Sequence, residues 1–203
     1  MSAPAKNSRT VVIGLLLGVL LLGAVAAFAI ALPKASGDAG GAIELPDTLP
    51  GGYVATDLPE AFAGAPAGSE DQVDAAVRNE KAAREYGDQV LADSGATAAT
   101  RTYLGEDMQT AVVVQAFRAA GGAFAPFQFT DPSRAEAGQE VERLVRAGDA
   151  VCIQKGSATG SGEIEGGYVQ CQRSEGDLTI QVTTPLPLEE AAEMVDTVWT
   201  QVS

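Results

Sequence analysis

The chain of 203 residues contains no histidine. This absence excludes serine–histidine and cysteine–histidine catalytic pairs and every histidine-ligated metal. Cysteine is scarce as well: Cys152 and Cys171 are the only two, and they lack the CxxC spacing that is typical of a zinc site. Basic residues number only 13, against 27 acidic residues. We therefore expect no metal and no cofactor, and no nucleic-acid partner, because a strongly acidic surface repels phosphate groups.

Residues 11–32 form one long run without a charged side chain. At about 1.5 Å of rise per residue, a helix of this length reaches about 33 Å, which is enough to cross the hydrocarbon core of a bilayer. Lys6 and Arg9 precede the run, and no acidic residue occurs before it ends. Basic residues stay on the cytoplasmic side. The pattern predicts a cytoplasmic tail at 1–10, a single-pass membrane anchor at 11–32 and an extracytoplasmic carboxyl-terminal part.

A cleaved secretory signal is the alternative for the same run. Its apolar core is typically about 7–15 residues long, which is shorter than the run found here and favours the uncleaved anchor. However, Ala27-Phe28-Ala29 and Ala29-Ile30-Ala31 both fit the small-x-small pattern of a cleavage site. Secretion after cleavage therefore stays open beside anchoring in the cell membrane.

The part of the chain after the anchor is strongly acidic. It holds all 27 acidic residues and all basic residues except Lys6 and Arg9, so its net charge is about −16. A charge of this size favours solubility and opposes self-association. The predicted compartment is oxidising, so we expect Cys152 and Cys171 to form a disulfide; two unrelated buried thiols are the alternative.

A spacer rich in proline and glycine precedes the main domain. It covers residues 33–68, and neither residue type supports regular structure there. Apolar residues such as Ile43, Leu45 and Tyr53 are unusual in a free tether. We expect 33–42 to be mobile, 43–62 to lie extended against the domain, and the domain itself to comprise residues 69–203.

The hydrophobic periodicity predicts helices and strands in separate groups. A helix starts at the capping box of Ser69 and Gln72, with Val77, Tyr86 and Val90 on its apolar face. The expected elements, in chain order, are this helix up to Asp93, strands at 97–104 and 110–118, a segment at 139–146 that suits a strand or a short helix, strands at 150–155, 168–173 and 178–183, and a helix that begins at Leu188. Grouped strands indicate an α+β fold, an antiparallel β-sheet of about 4–6 strands packed by two helices.

One loop combines glycine with aromatic residues. Phe124, Phe127 and Phe129 lie within residues 121–131 and make up half of the six phenylalanines. Aromatic side chains on a loop can bind a partner protein or an apolar ligand. We prefer the alternative that they fold back and plug the open end of the sheet, because large exposed apolar patches are rare.

The sequence favours a membrane-anchored protein with a non-enzymatic binding or interaction domain in the cell envelope. Its expected partners are the membrane, through the amino-terminal helix, and an envelope protein or an apolar ligand. One alternative is a secreted or anchored carboxylate-dependent enzyme that acts on cell-wall polymers, with Glu163 and Glu165 as a candidate pair. A purely structural domain is the other.

Overall fold

The structure is a computed structural model that describes residues 42–93, 95, 97–119, 124–126 and 130–203. The predicted cytoplasmic tail, the predicted membrane span and most of the segment 33–42 lie outside the described residues. Within the part of the chain that is described, no helix is both long enough and apolar enough to cross a membrane. Gly41–Ser203 form one compact unit.

An eight-stranded sheet forms the framework of this unit, in the order β1-β2-β3-β4-β8-β7-β6-β5. Every neighbouring pair is antiparallel. The strands are β1 (Thr48–Leu49), β2 (Tyr53–Ala55), β3 (Thr97–Leu104), β4 (Ala111–Arg118), β5 (Glu140–Ala147), β6 (Ala150–Ala158), β7 (Ile164–Glu175) and β8 (Leu178–Thr184). The prediction of an α+β fold with an antiparallel sheet is confirmed. The expected strand number was too low, because 48–55 adds β1 and β2 and the ambiguous segment forms β5.

The strand order combines two meanders that run in opposite directions across the sheet. Strands β1 to β4 follow one another as neighbours, and so do β5 to β8, while β8 pairs with β4. The chain between β4 and β5 therefore has to pass β8, β7 and β6 before the second meander begins. As a result β5 lies at one border of the sheet, and among the described strands it pairs with β6 alone.

Helix α1 (Glu70–Asp93) lies beside β3. Asp88 accepts a hydrogen bond of 2.9 Å from the backbone N–H of Thr100, which satisfies a polar group of that strand. Val77 is buried as predicted, but Tyr86 and Val90 are 73% and 46% exposed. The predicted apolar face is thus only partly correct, because α1 packs along the border of the sheet rather than across it.

Helix α2 (Leu188–Val202) covers one face of the sheet. Paired residues of antiparallel strands point to the same face, and Val114, Val182, Cys171 and Cys152 follow one another in such a row. The buried residues that α2 contributes to this core are Ala191, Ala192, Met194, Val195 and Val198. The helix begins at Leu188, as predicted from the sequence.

The predicted disulfide between Cys152 and Cys171 is confirmed. The two residues are direct partners in the register of β6 and β7, and their Cα atoms are 4.0 Å apart. Both are fully buried beneath α2. The bond therefore joins the two central strands of the second meander within the core.

A buried arginine fastens the segment that precedes α1 to the sheet. The Nε and Nη1 atoms of Arg101 bind carboxylate oxygens of Asp57 and Asp47 at 2.9 and 2.8 Å. Nη1 also donates to the carbonyl oxygens of Leu45 and Pro46. Burial raises the pKa of Asp57, but the hydrogen bonds and positive charges of Arg101 and Arg84 outweigh it, so this pKa lies below its ordinary value. Residues 45–57 are thereby part of the same folded unit as the sheet.

Candidate functional site

A groove runs between α2 and the border strand β5. Its volume is about 730 Å³. Leu188 and Glu189 line it at the start of α2, and Thr200 lines it near the end of that helix, whereas β5 contributes its last residues and Gly148. We refer to this cavity as the β5–α2 groove. It exists because α2 packs over β6, β7 and β8 and leaves the face of β5 only partly covered.

The floor of the groove is apolar. Val145 is paired with the core residue Cys152, so its side chain points toward the face that α2 covers. Ala147, two residues further along β5, shares that direction. Leu188 and Ala192 contribute the helix side of the floor. An apolar floor of this kind favours the burial of aliphatic groups from a bound molecule.

The rim of the groove on the helix side is acidic. Glu189 and Glu193 are one turn apart on α2, and both side chains are exposed. Asp196 follows on the same face, but it accepts a hydrogen bond of 2.9 Å from Arg173. The carboxylates of Glu189 and Glu193 border the cavity, and neither forms an ion pair with another described residue.

A second cavity of about 360 Å³ continues the groove, since Leu188 and Glu189 line both. Tyr168 lines this part and is 42% exposed. Arg143 of β5 also lines it and donates two hydrogen bonds, of 3.0 and 2.8 Å, to the amide oxygen of Gln154. The concave surface thus extends along β5 from Arg143 to Gly148.

The outer border of β5 presents backbone groups that no other strand of the described residues uses. Thr130 donates its N–H to the carbonyl oxygen of Glu142 at 3.2 Å, which shows that the backbone groups of Glu142 point outward. The backbone N–H and C=O groups of successive residues point to opposite sides of a strand, so the backbone groups of Leu144 and Arg146 point outward as well. At Leu144 and Arg146, no described residue forms a backbone hydrogen bond to this border.

The carboxylates of the groove are not arranged as a glycosidase pair. They all come from α2, so they line one wall, whereas a glycosidase places two carboxyl groups on opposite sides of the scissile bond. Among the described residues, no group of three cysteine, aspartate or glutamate side chains has an arrangement that could hold a metal. What the cavity combines is an apolar floor, an acidic rim and an open strand border.

Of the candidate binding and catalytic residues singled out in the sequence, none that the structure describes lines the groove. Phe124 is half-buried and the nearby Pro126 is buried, while Phe127 and Phe129 lie outside the described residues. Their proposed role in binding stays a prediction. Glu163 and Glu165 are both exposed beside the turn between β6 and β7, and neither lines the β5–α2 groove.

The groove residues were missed at the level of the sequence. Val145 lies in the segment whose periodicity did not distinguish a strand from a helix, so its orientation could not be assigned. Glu189 and Glu193 were not singled out as candidate binding residues. Residues four positions apart lie on the same side of a helix, so the spacing of Glu189 and Glu193 beside the apolar face of α2 could have indicated the acidic rim. Comparisons of the chain with protein-family models, curated proteins and solved structures found no match.

Proposed function

We propose that this chain is a single-pass membrane protein whose acidic carboxyl-terminal domain lies outside the cytoplasm. There it binds a partner in the cell envelope without catalysing a reaction. The observation that carries the binding role is the β5–α2 groove, which joins an apolar floor to an acidic rim and an open strand border. Protein partners commonly use such a combination, with apolar contacts at the centre and polar groups around them.

Two further observations support the proposed location. The uncharged run at 11–32 has the length of a membrane span, and the basic residues before it favour a cytoplasmic amino terminus. The fully buried disulfide between Cys152 and Cys171 is a bond that persists in oxidising compartments and is rare in the cytosol. Both observations favour an extracytoplasmic domain.

The binding role is tested by photo-crosslinking in intact cells. A photoreactive amino acid replaces Thr200, which lines the groove, or Asn79, which is exposed on α1 and serves as the matched control. We expect a discrete adduct with one envelope protein from position 200 and none from position 79. The same adduct from both positions, or none from position 200, would contradict a binding role for the groove.

The location is tested separately with an impermeant protease added to intact cells. We expect digestion of the domain while a cytosolic marker protein survives. Survival of the domain in intact cells and digestion after lysis would place it in the cytoplasm. Recovery of the whole domain from the medium would instead favour secretion after cleavage.

A further inference from the structure

We propose that the β5–α2 groove binds an extended segment of a partner protein in which basic and apolar residues alternate, and that this segment adds to β5 as a ninth strand. This inference rests on the proposed function and specifies the chemistry of the partner. It is carried by three features: the open border of β5, the acidic residues on the neighbouring helix, and the match between their spacings.

The border of β5 provides the backbone contacts. The N–H and C=O groups of Leu144 and Arg146 point outward, and a strand placed beside them would form the hydrogen bonds of a regular sheet. Addition of a strand to an exposed border is an established way to bind an extended peptide. The affinity then comes largely from the main chain, and the side chains decide which sequence binds.

The spacing of the carboxylates matches that of an extended chain. Glu189 and Glu193 differ by about 6 Å along the axis of α2, whereas alternate residues of a strand differ by about 6.7 Å. The helix follows β5, because Leu188 lines the cavity next to Arg143 and the carboxylate of Asp196 lies beside Gly148. Two alternate lysine or arginine side chains of an added strand would therefore reach both glutamates.

On the opposite face, the added strand meets Leu144, an apolar residue between the charged residues Glu142 and Arg146. Leu144 points away from α2, since its neighbours Arg143 and Val145 point toward it, and it is 41% exposed. Side chains of a partner strand that share this direction would cover it. Alternation of basic and apolar residues follows from the two different faces of β5.

The charge of the domain argues for a basic partner and against a second copy. Two copies joined through β5 would bring their acidic rims together, each on a region with a net charge of about −16. A segment rich in lysine or arginine relieves this repulsion and is attracted over a long range at low salt. The favoured occupant is thus a basic segment of a different protein.

The proposal is tested with a fluorescein-labelled peptide of ten residues in which lysine and valine alternate. The full-length protein in detergent micelles is titrated against it at low salt, and binding is followed by fluorescence anisotropy. A peptide of the same composition, with its lysines and valines in two separate blocks, controls for charge alone. We expect the alternating peptide to bind at least about tenfold more tightly, because only its side chains alternate as the two faces of β5 require.

Two pairs of variants locate the contact. The double variant Glu189→Gln, Glu193→Gln is expected to bind the alternating peptide about tenfold more weakly. The control is the double variant Glu60→Gln, Glu190→Gln, which changes the net charge by the same amount outside the groove. Its affinity for the peptide should stay within about twofold of the wild type. Leu144→Pro removes an outward N–H and is expected to weaken peptide binding about tenfold. Leu144→Ala keeps this N–H and should weaken peptide binding no more than about threefold. If Leu144→Pro unfolds, Arg146→Pro replaces it.

Several outcomes would overturn the proposal. Equal binding of the two peptides, or wild-type affinity in the Glu189→Gln, Glu193→Gln variant, would mean that the groove does not recognise a basic strand. A dimer that dissociates in Leu144→Pro would identify a second copy as the occupant. Peptide binding only after deletion of residues 120–129 would identify the chain's own loop. In each case, an envelope-protein adduct at position 200 would leave the proposed function standing.

Discussion

Replacement of Arg101 by methionine is expected to destabilise the domain more than any other single change at a charged residue. Arg101 is 5% exposed and holds the carboxylate of Asp57 and two backbone carbonyls of residues 45 and 46. Methionine fills a similar volume but offers no donor. The carboxylate of Asp57, which is also buried, then keeps only the hydrogen bond of 2.7 Å from Arg84.

The magnitude follows from the groups that lose their partner. Breaking a buried ion pair by removal of one member costs about 3–5 kcal/mol. The charge of Asp57 is still compensated by Arg84, which reduces the loss, but two carbonyl groups lose a charged donor, which adds to it. We therefore expect the free energy of unfolding to fall by about 3–4 kcal/mol. Arg101→Lys keeps the charge but cannot reach acceptors on both sides at once, so its expected loss is about half as large.

Urea denaturation provides the assay. Trp199 is the only tryptophan and stacks with the guanidinium of Arg173 at 4.4 Å, so its fluorescence reports unfolding from a different element than β3, which holds Arg101. Arg78→Met, on the exposed face of α1, serves as the control and is expected to change stability by less than about 0.5 kcal/mol. A loss below about 1 kcal/mol for Arg101→Met would refute the reasoning that the buried network fixes residues 45–57 to the sheet.

Three further perturbations have expected outcomes. Replacement of Cys152 and Cys171 by alanine should cost about 3 kcal/mol in urea denaturation, since the bond closes a loop with a sequence separation of 19. The pKa of Asp57 is lowered on folding, so the ionised carboxylate stabilises the folded state above its ordinary pKa of 3.8, and this contribution is lost as the pH falls below that value. The free energy of unfolding should therefore decline less steeply between about pH 5 and 3 in Asp57→Asn than in the wild type. Gly167→Ala should lower the melting temperature markedly, because φ is +78° and a Cβ would overlap the carbonyl oxygen of Lys155.

Helices and strands with a clear local pattern of apolar residues were predicted correctly. Leu178, Ile180 and Val182 alternate with polar residues, and they form the buried side of β8. The disulfide followed from the predicted oxidising compartment and from the presence of just two cysteines. By contrast, the spacing of apolar residues in α1 did not show that Tyr86 and Val90 would be exposed, because the position of that helix depends on residues far away in the sequence.

Non-local pairing explains what the sequence did not predict. The sheet has eight strands because β4 pairs with β8 and because the short strands at 48–55 join β3, and neither contact leaves a periodic signal. The two sides of the β5–α2 groove are likewise formed by residues at least 40 positions apart. Only the acidic spacing of Glu189 and Glu193 could have been noticed beforehand, and its meaning depends on the strand that lies opposite.

Hydrogen exchange at β5 tests the central claim most directly. Amide exchange of the full-length protein is measured at Leu144 and Arg146, with and without the alternating lysine–valine peptide at saturating concentration. Addition of a strand should slow the exchange of both amides by at least about tenfold, because each becomes part of a backbone ladder. Unchanged exchange at both positions while the peptide is bound would contradict strand addition at this border.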